Sequence, residues 1–134
     1  MVVELSGGLA NAEAERITVE VIDAVLNAHW PSGPELLQAY RNHLLRMTSF
    51  CRALTHSIDP FELGVAAAFH DLAIWTVPTW DYLGPSREMA RAWLGQRGRS
   101  ECVERVEKMI EFHHKLTRYR GISRMRFAQF SPTE

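Results

Sequence analysis

The stretch Ala66-Ala67-Ala68-Phe69-His70-Asp71-Leu72 joins an apolar helical run to a histidine and a carboxylate placed side by side. Extended back to Phe61 and forward to Ile74, the run adds Leu63 and Val65 and leaves almost no polar face, the pattern of a helix covered on all sides. Asp59-Pro60 supplies an N-cap followed by a proline suited to a first helical turn, so a central helix is expected from about 60 to 74. The alanines permit close approach by neighbouring helices. His70 and Asp71 are then expected in the middle of the domain, where an unpaired carboxylate is costly. Consecutive helical residues diverge by about 100°, so both reach one ion only at a helix end or where other helices crowd close.

The rest of the chain reads as helices around that one. Ile17, Val21, Ala24, Val25 and Ala28 recur at helical spacing and predict a first helix from about 11 to 28, stopped by Trp30-Pro31-Ser32-Gly33-Pro34. Leu37, Tyr40, Leu44, Met47, Cys51 and Leu54 form a stripe on a second helix from about 35 to 55, flanked by Leu36, His43 and Phe50. With Leu36, Tyr40, Met47 and Phe50 as its helical neighbours, His43 is expected to point inward. Residues 75 to 85 read as a loop with Trp75, Trp80 and Asp81. Ser86 reads as the cap of a short helix to Leu94 with Met89, Ala90, Trp93 and Leu94 inward, and Gly95 to Arg99 break it. A fifth helix from about 100 to 116 places Val103, Val106, Met109, Ile110, His113 and Leu116 on one face, His114 on its flank, and Glu101, Glu104, Glu107 and Lys108 outside.

These readings predict an all-α fold, a bundle of about five helices without strands or repeats. The expected layout is a loose lead-in over 1–10 around Gly7-Gly8, one helical domain over 11–120, and a partly ordered basic tail over 121–134 with Met125, Phe127 and Phe130. A length of 134 residues suits one domain, and 46% apolar with 23% charged residues is an ordinary soluble composition. No apolar run is long enough for a membrane span, and Met1-Val2-Val3-Glu4-Leu5 lacks the basic start of a signal peptide, so a cytoplasmic location is expected. The net charge of -1 makes no global case for a nucleic-acid partner. Lys115, Arg118, Arg120, Arg124 and Arg126 nevertheless crowd the C-terminal end, as a phosphate-facing patch or a solvated tail. Cys51 and Cys102 lack metal-ligand spacing and read as free thiols in apolar patterns.

Three helices thus each turn histidine inward: His43, His70 beside Asp71, and His113-His114. Imidazole with carboxylate suits a divalent ion such as Mn²⁺, Fe²⁺, Co²⁺, Zn²⁺, Ni²⁺ or Mg²⁺, and the ion offsets the buried charge. Metal ligation by His43, His70, Asp71, His113 and His114 is the expectation.

The segments Tyr40-Arg41-Asn42-His43-Leu44-Leu45-Arg46, Phe69-His70-Asp71-Leu72 and Ile110-Glu111-Phe112-His113-His114-Lys115 resemble the HD-domain superfamily of metal-dependent phosphohydrolases over roughly residues 36 to 120. More narrowly, the run from Phe69 to Thr76 with Asp81-Tyr82-Leu83 and Pro85-Ser86 resembles a bacterial subgroup of HD proteins. The resemblance implies a helical bundle in which His43, His70 and Asp71 hold a first metal and His113 and His114 supply the extra histidines of two-metal members. It also implies hydrolysis of a small phosphorylated metabolite or nucleotide, the ion lowering the pKa of bound water and screening phosphoryl charge. Asp71 and Asp81 are then the candidate catalytic carboxylates, and Arg46, Lys115 and Arg118 the candidate phosphate contacts. The family's closing Asp follows the His-His position, whereas this chain has no Asp after Asp81. Truncation before the family's final helices, or divergence, would each account for that. Two alternatives follow, a di-iron oxygenase and a degenerate HD domain that binds or regulates without catalysis. A missing final helix would expose an apolar face, so a homo-oligomer is expected and no membrane partner.

Overall fold

The computed structural model describes the backbone of residues 2–31, 33–54, 57–70, 72 and 83–119, and the side chains of 10–31, 33–54, 57–70, 72 and 84–111. Among these residues the chain is all-α, as expected, with five α-helices and no strand: α1 (Val2–His29), α2 (Pro34–Leu54), α3 (Pro60–His70), α4 (Leu83–Gln96) and α5 (Val103–Tyr119), the last preceded by a 3-10 turn at Ser100–Cys102. None of these helices is long and apolar enough to cross a membrane. The expected loop with Trp75, Trp80 and Asp81, the end of the central helix at Ile74, and the tail over 121–134 lie outside the described residues. The chain divides into two compact units, Met1–Ala68 and Phe69–Glu134.

In the first unit α1 starts at Val2 and runs through Gly7 and Gly8, where a loose lead-in was expected. Its buried face is Thr18, Val21, Ile22, Val25 and Leu26, while Ala28, expected inward, is exposed. Ile22 and Leu26 follow Thr18 at four-residue steps, and Thr18 tolerates burial because its hydroxyl donates to the Pro60 carbonyl at 2.8 Å. The Trp30 indole stacks on Tyr40, with centroids 5.4 Å apart, and its N–H donates to the Gly33 carbonyl. That same carbonyl accepts the Leu37 amide and begins α2, with Pro34 in the first turn.

Helix α3 has the start and the burial that its sequence predicts. The Asp59 carboxylate accepts the Glu62 amide at 3.0 Å, and the Asp59 carbonyl accepts the Leu63 amide at 2.9 Å. From Glu62 to His70 every residue is buried. A close approach by α1 falls at Gly64. A Cβ added to Gly64 would lie 3.0 Å from both the Thr18 carbonyl oxygen and the Val21 Cβ of α1. On the α2 side the Tyr40 hydroxyl donates to the Ala68 carbonyl at 3.2 Å. At the rim of α1 and α2, Arg41 clasps Asp23 through Nε at 2.6 Å and Nη2 at 3.2 Å, which raises the guanidinium pKa further.

The second unit is built on α4 packed against α5. Ala90, Trp93 and Leu94 of α4 and Cys102, Val106 and Ile110 are buried in its apolar core. The end of α4 is a Schellman cap. The Arg99 amide donates to the Leu94 carbonyl at 2.8 Å and the Gly98 amide to the Gly95 carbonyl at 3.1 Å. Gly98 takes a φ of 68°, a left-handed conformation that glycine adopts without strain. Outside the core, Arg91 of α4 reaches both Glu107 carboxylate oxygens, at 2.9 and 3.0 Å. Glu107, read as outward, therefore bridges the two helices at their edge.

Two substitutions test this packing. Gly64→Ala forces backbone and a β-branched side chain apart and is expected to cost about 1–3 kcal/mol in urea denaturation. Gly98→Ala places a Cβ in a left-handed residue and is expected to cost about 1–2 kcal/mol. A Gly64→Ala protein as stable as the parent would show that α1 and α3 do not cross so closely.

Candidate metal centre

His70 closes α3 and is 3% exposed, so the expected burial of this imidazole is met. Two groups hold its backbone in place. The Ser86 hydroxyl of α4 donates to the His70 carbonyl at 3.2 Å, and the neighbouring Phe69 ring meets Trp93 edge-on at 6.2 Å. Ser86 was expected to cap a helix. Because α4 begins at Leu83, Ser86 instead lies in its first turns, fully buried, with its hydroxyl turned toward the end of α3.

His43 does not point inward. It is exposed on α2, whose buried residues are Tyr40, Leu44 and Thr48. At 100° per residue, His43 lies about 100° from the middle of that stripe. Its apolar neighbours misled because Leu36 and Phe50 are themselves exposed, while Thr48 is buried with its hydroxyl donating back to the Leu44 carbonyl at 3.0 Å. Arg46, a candidate phosphate contact, is exposed on the same helix.

Asp71 and Asp81 lie outside the described residues, as do the side chains of His113, His114, Lys115 and Arg118. Among the described residues no three His, Cys, Asp or Glu side chains are grouped to hold a metal ion. They offer one buried imidazole from the expected ligands, which is not a metal site by itself, and no catalytic step is derived through an ion.

Both cysteines are free, as expected. Cys51 is half-buried, and burial pushes its thiol pKa up against the opposing effect of Arg52, so it stays protonated at neutral pH. Cys102 is buried and accepts the Arg99 Nη2 at 3.4 Å, while Arg99 Nε donates to Glu101 at 2.8 Å. The Glu101 carboxyl is held below its ordinary pKa, first by its own backbone amide and then by Arg99. One cation site was legible but unread: Trp93 and Arg97 stand four residues apart, and the guanidinium lies 4.3 Å from the ring centroid.

Ser86→Ala removes the donor from a buried carbonyl and is expected to destabilise the fold by about 1–3 kcal/mol in chemical denaturation, whereas Ser86→Thr retains most of the stability. An unchanged midpoint for Ser86→Ala would show that α4 does not secure the end of α3.

No family model matches this chain, and no curated protein or solved structure matches it.

Proposed function

We propose that this chain is a metal-dependent phosphohydrolase of the HD type, acting in the cytoplasm as a homo-oligomer on a small phosphorylated metabolite or nucleotide. The observation that carries the reading is the burial of His70 at the end of a helix whose neighbours cover it from Glu62 onward. A buried histidine with a carboxylate next to it in sequence suits a divalent ion, since imidazole and carboxylate are both ligands of such ions. The proposed ligands are His70, Asp71, His113 and His114, all within the sequence of the second unit. His43, exposed on α2, is left out.

A second reading has an observation of its own. The exposure of His43 removes the family's first ligand, which favours a degenerate domain that binds without catalysis.

Metal analysis of the purified protein, together with phosphate release from a panel of phosphomonoesters and nucleotides, separates the readings. The expected result is bound divalent metal and phosphate release, both lost in His70→Ala and both retained in His43→Ala. Metal-free protein whose stability and ligand binding are indifferent to His70→Ala would establish the binding module instead. Bound iron with oxygen-dependent turnover would identify an oxygenase. Loss of metal in His43→Ala would overturn the ligand set proposed here.

A further inference from the structure

We draw no further inference here: the strongest candidate, the exposed apolar patch of Leu36, Phe50 and Leu54 on α2, carries none because nothing in the structure shows what covers it.

Discussion

The close approach of α1 and α3 at Gly64 is the constraint on which the first unit depends. With no side chain at that position, the Thr18 carbonyl and Val21 can sit where a Cβ would collide. The Thr18 hydroxyl then reaches the Pro60 carbonyl, at the capped start of α3. A helix buried from Glu62 to His70 has nowhere to hydrate its first amides, so the Asp59 cap is part of the same arrangement. Tyr40 closes the other side by donating to Ala68. The Thr18, Tyr40 and Thr48 hydroxyls and the Glu62 amide each enter this packing with a partner, which is the condition for burying them.

The ion pairs play a smaller part. Arg41 with Asp23 and Arg91 with Glu107 tie neighbouring helices at their solvent edges, where screening and side-chain entropy leave little net stabilisation. The i,i+3 and i,i+4 bridges of Arg16 to Glu13 and Glu20 act within α1 alone. Stability therefore rests on the apolar faces. In the second unit the Trp93 ring serves twice, edge-on to Phe69 and beneath Arg97, and so links the end of α3 to the turn after α4.

The orientation of α2 separates the histidines that the sequence groups together. Its buried stripe of Tyr40, Leu44 and Thr48 turns His43 and Arg46 outward with Leu36 and Phe50. Side chains on that face are exposed, whereas His70 is buried at the end of α3. The two histidines that the sequence groups together thus have opposite surroundings, and the proposed chemistry concentrates on the second.

The sequence by itself determined the all-α class, the five helices found among the described residues, the Asp59-Pro60 start of α3 and the burial of that helix through His70, because caps, prolines and an unbroken apolar run act locally. It also placed the break after α4, where Gly98 supplies the left-handed residue. Only the tertiary structure decided which face of α2 is buried, that Ile22 and Leu26 complete the core face of α1, and that Ser86 secures the His70 carbonyl instead of capping its own helix. The reason is physical. An apolar residue shows a preference for burial, but α2 has more apolar surface than its neighbours cover, and a buried hydroxyl such as that of Thr48 bonds to its own helix and leaves no trace in the hydrophobic pattern.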